Sequence, residues 1–139
     1  MMNDYIRRVQ YHETDRMGIT HHSNYVKWME EACTDFLDGI GYSYVKLEKD
    51  GIISPVVALE CKYKTPTTFG DHVRIHAEVV EYTGVRLVVK YTATNVIGGA
   101  LVFSGKTTHC FVTPTGRPIV LKKSFPEFDK LLRGLVVTE

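Results

Sequence analysis

The sequence predicts an α+β fold, in which one long helix lies against an antiparallel sheet of about five strands. Three observations support this prediction. Apolar residues recur at helical spacing over one long stretch, from Ser23 or Asn24 to about Leu37. Four strand-like segments then follow one another between residues 56 and 113. Short turn signals separate these segments, and strands that succeed one another through tight turns pair antiparallel.

The first element is a strand, and the second is the long helix. Residues 5–12 alternate loosely between apolar and polar side chains, and residues 13–22 form a polar, turn-rich stretch. The apolar stripe of the helix is broad, so most of the helix should be buried. Its members are Tyr25, Val26, Trp28, Met29, Ala32, Cys33, Phe36 and Leu37. The candidate N-caps are Thr20, Ser23 and Asn24, and the glycines that should end the helix are Gly39 and Gly41.

A short helical piece over 43–50 leads into the four remaining strands. In the middle two of these strands, alternate apolar residues share one face, as expected where one side of a sheet is buried. Gly98-Gly99 signals a hairpin, and a cluster over 113–118 signals a turn. The strands are predicted at 56–64, 72–82, 85–96 and 100–113, and a last short helix over 124–133.

Length and composition favour one globular domain over residues 1–139, since domains typically run to roughly 100–200 residues. The formal net charge of +1 gives no reason to expect nucleic acid as a partner. No apolar run approaches the roughly 20 residues of a membrane span, and the charged first residues do not resemble a signal peptide. Cys33, Cys61 and Cys110 form no CxxC pair. We therefore expect core cysteines without a disulfide framework or zinc site, and a cytoplasmic protein.

The stretch from Tyr11 to Tyr25 holds the candidate chemistry. It places carboxylates and histidines in a loop that leads directly into the N-terminus of the long helix. A helix N-terminus presents unpaired backbone N–H groups and the positive end of the macrodipole, so it can hold a developing oxyanion. The same field favours the ionised form of a carboxylate just upstream, which here is Asp15. A carboxylate beside an oxyanion site supplies the two groups that attack on an acyl carbonyl needs at the least: one that attacks the carbon or activates water, and one that stabilises the oxygen.

This stretch resembles the hotdog-fold acyl-CoA thioesterases of the 4-hydroxybenzoyl-CoA and YbgC-like type. That family opens with a strand and Asp-x-x-Gly, followed by His or Tyr, a small residue, Asn or Ser, and Tyr. Here the sequence is Asp15-Arg16-Met17-Gly18 and then His22-Ser23-Asn24-Tyr25. Residues 63–75 match the family's Tyr-x-x-Pro…Gly-Asp-x-Val strand pair, and Gly116-Arg117-Pro118 matches its closing turn. The resemblance covers nearly the whole chain and implies a long central helix wrapped by a curved antiparallel sheet.

The resemblance also implies roles for individual residues. Asp15 is the family's catalytic carboxylate and acts as the nucleophile or as a general base on water, a choice that the sequence leaves open. The backbone N–H of His22 or its neighbour would polarise the thioester carbonyl, and the His22 side chain would assist or pack over the site. His21 stands where many relatives have an aromatic or apolar residue. The other residues expected at the oxyanion or substrate site are Gly18, Ser23, Asn24, Tyr25 and Glu30.

The implied substrate is a short-chain or aromatic acyl-CoA, or an acyl-carrier-protein thioester, and no cofactor or metal is expected. Such proteins pair into dimers whose two equivalent sites lie at the interface, so a homodimer unit and a homotetramer are expected. Coenzyme A carries phosphates, which favour basic side chains. Two or three scattered lysines and arginines should therefore meet the nucleotide. The candidates are Lys62, Lys64, Arg86, Lys90 and Arg117, within a wider set that includes Lys106, Lys122 and Lys123.

Other interpretations of these residues stay open at the level of sequence. Asp15 could be a turn or capping aspartate. His12, Asp15, His21 and His22 could form a two-histidine, one-carboxylate metal site, although their spacing matches no strong motif. The rival functions are a hotdog dehydratase that acts on hydroxyacyl thioesters and a non-catalytic acyl-CoA binding module. Glu31 should face solvent or a subunit contact, because it points away from the apolar stripe.

Overall fold

The structure is a computed structural model that describes residues 4–137. It contains five strands, four helices and one short 3-10 turn at Tyr11–Glu13. The strands are β1 (Tyr5–Arg8), β2 (Val56–Tyr63), β3 (His72–Tyr82), β4 (Arg86–Asn95) and β5 (Leu101–Cys110). The helices are α1 (Ser23–Gly39), α2 (Tyr44–Lys49), α3 (Leu121–Ser124) and α4 (Pro126–Leu135).

The five strands form one antiparallel sheet in the order β1-β3-β4-β5-β2. Successive strands β3, β4 and β5 are neighbours, as tight turns require, whereas β1 and β2 lie at the two edges. The β4–β5 hairpin closes through Gly98 and Gly99, both with positive φ, which glycine adopts without a steric penalty. The α+β class and the five strands predicted from the sequence are therefore confirmed.

Helix α1 packs its apolar stripe against one face of this sheet. Trp28 and Met29 are completely buried, and the ring of Tyr25 stacks on Phe103 of β5 with centroids 5.0 Å apart. The helix lies close to β5 at Gly105. A Cβ atom there would lie 2.6 Å from Sδ of Met29 and 2.9 Å from the carbonyl oxygen of Glu60. A glycine at this position therefore sets how closely helix and sheet can pack.

The predicted boundaries of the first strand and of the last helix were wrong, and the last strand ends at Cys110 rather than at 113. The strand predicted over 5–12 ends at Arg8, because the chain turns into the 3-10 turn at Tyr11–Glu13. The Glu13 side chain holds that turn by accepting the backbone N–H of Gln10 at 2.7 Å. The last predicted helix is two helices, α3 and α4, and Pro126 begins the second of them. A proline suits the first helical position because its missing N–H has no partner there.

The predicted N-caps of α1 were also wrong. His22 occupies the N-cap position and makes no side-chain capping bond. Thr20 is buried and pairs with Thr67 at 2.6 Å, while Ser23 and Asn24 lie within the helix. Thr20 and Asn24 are therefore engaged in hydrogen bonds to other parts of the chain and do not cap the helix. The C-terminus agrees with the prediction, since α1 ends at Gly39.

Candidate active site

A cleft of about 470 Å³ lies where the loop before α1 meets the end of β2. Its lining joins two parts of the chain that are far apart in sequence. The loop and the start of α1 form one side, and the end of β2 with the segment after it forms the other. The lining residues are Asp15, Met17, Ile19, Thr20, His22, Tyr25, Tyr63, Lys64, Thr65 and Pro66.

The loop that carries Asp15 is closed by its own backbone. The Asp15 N–H donates to the carbonyl of Ile19 at 2.8 Å, and the Gly18 N–H donates to the carbonyl of Asp15 at 3.0 Å. Thr14 and Thr20 form an antiparallel bridge at the base of the loop. Gly18 has a φ of +79°, which explains the glycine at this turn. The backbone therefore holds Asp15 in one defined place.

The Asp15 carboxylate is half-buried, and among the described residues only one of its oxygens has a partner. Oδ1 accepts the backbone N–H of Met17 at 2.8 Å, which orients the carboxylate in the manner of an Asx turn. Within residues 4–137, no donor reaches Oδ2. The carboxylate thus lines the cleft with one oriented oxygen and one oxygen that is available to a substrate or a water molecule.

The N-terminus of α1 contributes a backbone N–H to the same region. The N–H groups of Asn24 and Tyr25 donate to the carbonyls of His21 and His22, at 3.0 and 3.1 Å. The N–H of Ser23 makes a longer bond of 3.2 Å to Nδ1 of His21. In the described part of the chain, the N–H of His22 has no acceptor. Most backbone donors are paired, so a free N–H at a helix N-terminus is available to an oxyanion.

Aromatic rings surround this pair of groups. His22 stacks on His21 with ring centroids 4.4 Å apart, and its ring lies 5.6 Å from Tyr63. Tyr63 is 50% exposed and lies 5.8 Å from Tyr25, whose own ring is buried. Burial raises the pKa of Tyr25, although hydrogen bonds from Thr67 oppose that shift. Tyr25 therefore stays a neutral phenol and forms a wall of the cleft, while Tyr63 is free to meet a ligand.

The sequence profile of the thioesterase-like superfamily matches residues 9–133, which is most of the chain. The chain belongs to that superfamily. It is 34% identical over 120 residues to YneP of Bacillus subtilis, provisionally named an acyl-CoA thioesterase. That match covers 86% of this chain and 87% of YneP. The family predicted from the motif around Asp15 is therefore confirmed.

Solved structures of thioesterases also match this member of the superfamily. The DHNA-CoA thioesterase from Staphylococcus aureus aligns with a TM-score of 0.88 and 32% identity, covering 98% of this chain and 97% of that one. The gentisyl-coenzyme A thioesterase BH1999 aligns with a TM-score of 0.80 and 28% identity, covering 89% and 99%. These structural similarities confirm the predicted hotdog fold. Together with the similarity to YneP, they show that the protein is a thioester hydrolase.

Several residues predicted for the thioesterase site lie outside the lining of the cleft. Gly18 shapes the loop, and its carbonyl accepts the Thr68 hydroxyl at 2.8 Å. Ser23 is exposed and bonds the ring of His21 at 2.8 Å, whereas Asn24 is buried and donates to backbone carbonyls. Glu30 is exposed on α1 and does not line the cleft of its own chain. Asp15, His22 and Tyr25 are the predicted residues that the fold brings together there.

The predicted coenzyme A cations are spread over the molecule, and of these Lys64 lines the cleft. Lys62 lies on β2 opposite Ser104, and Arg117 is exposed in the turn after β5. Arg86 pairs with Glu81 at 3.2 Å in a separate groove that also contains Lys106. Lys90 of β4 stands opposite Glu78 on β3 and Lys106 on β5.

Lining residues that the sequence analysis did not assign to the site are Met17, Ile19, Thr20, Tyr63, Thr65 and Pro66. The signal that could have found Tyr63 and Pro66 is their place in the family's Tyr-x-x-Pro motif.

Among residues 4–137, no group of three or more His, Cys, Asp or Glu side chains could hold a metal ion. The helices in this range are all too short or too polar to cross a membrane.

Proposed function

We propose that this thioesterase hydrolyses a short-chain or aromatic acyl-CoA, or the matching acyl-carrier-protein thioester, with Asp15 as nucleophile or general base. One observation carries the proposal. A carboxylate oxygen of Asp15 and the backbone N–H of His22 are both without a partner in the described chain and both residues line one cleft. A carboxylate can attack a carbonyl carbon or activate water to do so, and a nearby N–H without a partner can stabilise the negative charge that develops on the carbonyl oxygen.

Both forms of the reaction balance with these groups alone. As a nucleophile, Asp15 attacks the thioester carbon, the thiolate of coenzyme A leaves, and water then hydrolyses the mixed anhydride. As a general base, Asp15 takes a proton from water while the resulting hydroxide attacks the same carbon. The coenzyme A thiolate then leaves and takes up that proton. In either form the His22 N–H stabilises the oxyanion, and the His22 side chain packs over the acyl group or donates to it. Neither form requires a cofactor.

The surroundings of Asp15 favour an aromatic acyl group within the proposed substrate class. The exposed ring of Tyr63 and the ring of His22, which both line the cleft, offer faces on which a planar acyl group can stack. Gentisyl, the acyl group in the name of one solved relative, is aromatic. Lys64 borders the cleft and is the best placed of the predicted cations to meet a coenzyme A phosphate. Lys62, Arg86, Lys90 and Arg117 stay predictions for the nucleotide.

A homodimer through β2, assembled further into a tetramer, is part of the proposal. β2 is an edge strand, and edge strands pair readily with another chain. Its large apolar side chains are exposed, and Tyr63 at its end lines the cleft. A second copy seated along β2 would therefore cover the cleft and place both sites at the interface. Three free cysteines support the proposed cytoplasmic location.

Replacement of Asp15 by Asn tests the proposed chemistry. Loss of a general base or nucleophile costs at least about 100-fold in kcat. We expect Asp15→Asn to lower thiol release from benzoyl-CoA by that factor while coenzyme A binding, measured by calorimetry, persists. Asp38→Asn is the matched control, because Asp38 is exposed near the C-terminus of α1 and does not line the cleft. Undiminished thiol release in Asp15→Asn would refute the role of Asp15.

The same assay separates the rival functions. A dehydratase would convert a hydroxyacyl thioester into an enoyl thioester and release no free thiol. A binding module would bind coenzyme A thioesters with no turnover in the wild-type protein. Thiol release by the wild type that depends on Asp15 therefore favours hydrolysis over both.

A further inference from the structure

Glu13, two residues before Asp15, is a buried carboxylate that the proposed reaction does not use. It is 2% exposed, and four donors converge on it. Arg7 donates from its two terminal nitrogens at 2.7 and 3.1 Å. The indole N–H of Trp28 lies at 2.9 Å and the backbone N–H of Gln10 at 2.7 Å. A buried charge persists only when it is paired and hydrogen-bonded, and Glu13 meets that condition.

The backbone of Glu13 connects this anchored side chain to the helix side of the cleft. Its carbonyl oxygen accepts the N–H of His21 at 2.8 Å and Nδ2 of Asn24 at 3.0 Å. His21 immediately precedes His22, whose N–H is the free donor. The position of Glu13 therefore sets the position of the helix N-terminus relative to the sheet.

The chain that leaves Glu13 also leads directly into the loop that carries Asp15. Thr14 follows Glu13 and pairs with Thr20 at the base of that loop. Asp15 comes next and is held by the Ile19 carbonyl. One anchored residue thus fixes both the carboxylate and the backbone donor that face the substrate.

We propose that Glu13 is a positioning residue for thioester hydrolysis, held by Arg7 and Trp28, which sets the separation between Asp15 and the His22 N–H. The inference rests on the proposed function, because it takes these two groups as the reacting ones. A misplacement of about 1 Å at a reacting group can cost about 100-fold in rate. Loosening of Glu13 therefore acts on kcat rather than on substrate binding.

Glu31 offers a matched comparison for Glu13. It accepts a bond from the same arginine, Arg7 Nε, at 2.9 Å, and another from the Tyr5 hydroxyl at 2.8 Å. Its side chain makes no hydrogen bond to the segment 13–22 within the described chain. Glu31→Gln thus removes a carboxylate that binds Arg7, as Glu13 does, but it removes no hydrogen bond to the residues of segment 13–22.

The test compares Glu13→Gln with Glu31→Gln in a thiol-release assay with benzoyl-CoA. Glutamine has nearly the same volume as glutamate but carries no charge. Its amide N–H₂ group would face the N–H donors that now bind the carboxylate, so some of those hydrogen bonds would be lost. We expect kcat of Glu13→Gln to fall by about 10- to 100-fold with KM within about threefold, and kcat of Glu31→Gln to stay within about twofold. Equal kcat values in the two variants would overturn the proposal.

A double variant separates positioning from a general loss of structure. If Glu13 acts through Asp15, Glu13→Gln lowers the residual rate of Asp15→Asn far less than it lowers the wild-type rate. The same fold-loss in both backgrounds would overturn the proposal. Undiminished turnover in Asp15→Asn alone would instead refute the proposed function, whatever Glu13→Gln does, so the two failures are distinguishable.

The single tryptophan reports on the anchor directly, because Trp28 donates to Glu13. We expect the emission maximum to shift in Glu13→Gln and to stay unchanged in Glu31→Gln. If Glu13→Gln does not fold, Trp28→Phe removes the indole donor together with part of the buried ring system, and keeps an aromatic ring in the core. A drop in kcat of about 2- to 10-fold at unchanged KM then supports the proposal, and unchanged kcat overturns it.

Discussion

At the scale of single residues, the exposed ring of Tyr63 is the surface on which we propose that an aromatic acyl group stacks. Aromatic pairs contribute about 0.5–1.5 kcal/mol beyond buried area, which corresponds to about 2- to 12-fold in rate. We expect Tyr63→Ala to lower kcat/KM for benzoyl-CoA by that factor and to change kcat/KM for acetyl-CoA less. Thiol release from the two substrates gives the comparison.

The control for Tyr63 is Tyr11, a tyrosine that is 77% exposed and packs edge-on against Phe69. Tyr11→Ala should leave the preference between the two substrates unchanged. Equal losses with benzoyl-CoA and acetyl-CoA in Tyr63→Ala would contradict the stacking role of Tyr63 and would favour a general part in shaping the cleft.

The sequence identified Asp15, His22 and Tyr25 but not Glu13, and the reason is physical. The first three lie within one short motif before and at the start of α1, and the resemblance of that motif to a known family was sufficient to join them. Glu13 becomes significant through Arg7 on β1 and Trp28 on α1. Nothing in local periodicity shows that a loop glutamate is buried, since most glutamates are exposed.

At the scale of elements, the edge strand β2 is where we propose that two copies associate. Val57 is 60% exposed on this edge strand. In a dimer through β2 we expect Val57→Lys to place like charges near the two-fold axis and to shift the protein to monomers. Sedimentation velocity measures the change. Because Tyr63 lies on the same strand, we also expect thiol release to fall.

The matched control for the edge strand is Val45→Lys, since Val45 is an exposed valine on α2. It should sediment as the wild type does. A monomeric wild type, or a Val57→Lys variant with the wild-type sedimentation coefficient, would contradict association through β2.

The elements themselves were predictable where one periodicity ran over many residues. Helix α1 and strands β3 and β4 agree with the predicted ranges because their apolar faces are long and regular. The strand predicted over 5–12 was wrong at its end, where a Glu13 side chain outside the predicted strand turns the backbone. The alternation of apolar and polar residues along one segment does not predict caps and turns that depend on side chains from outside that segment.

At the scale of the whole molecule, two buried carboxylates connect folding to pH. Burial would raise the pKa of Glu13, but hydrogen bonds from Trp28, Gln10 and Arg7 outweigh it and lower that pKa. Burial also opposes ionisation of Asp129 in α4, yet bonds from Tyr82 and Arg133 lower its pKa too. Each group therefore binds a proton more weakly in the folded chain than in the unfolded one.

This difference predicts acid destabilisation with a definite sign. An unfolded glutamate titrates near about pH 4.3, so the stability from Glu13 is fully present above that pH and is lost as pH falls through its lower folded pKa. We expect the Tm of the wild type to fall steeply below about pH 4.3, and that of Glu13→Gln to start lower and fall less steeply. Differential scanning calorimetry between about pH 3 and 7 measures both slopes, and Asp129→Asn repeats the test at the second carboxyl. Parallel Tm curves for the wild type and both variants would show that neither carboxylate links folding to pH, because a group with equal proton affinity in both states cannot change the slope.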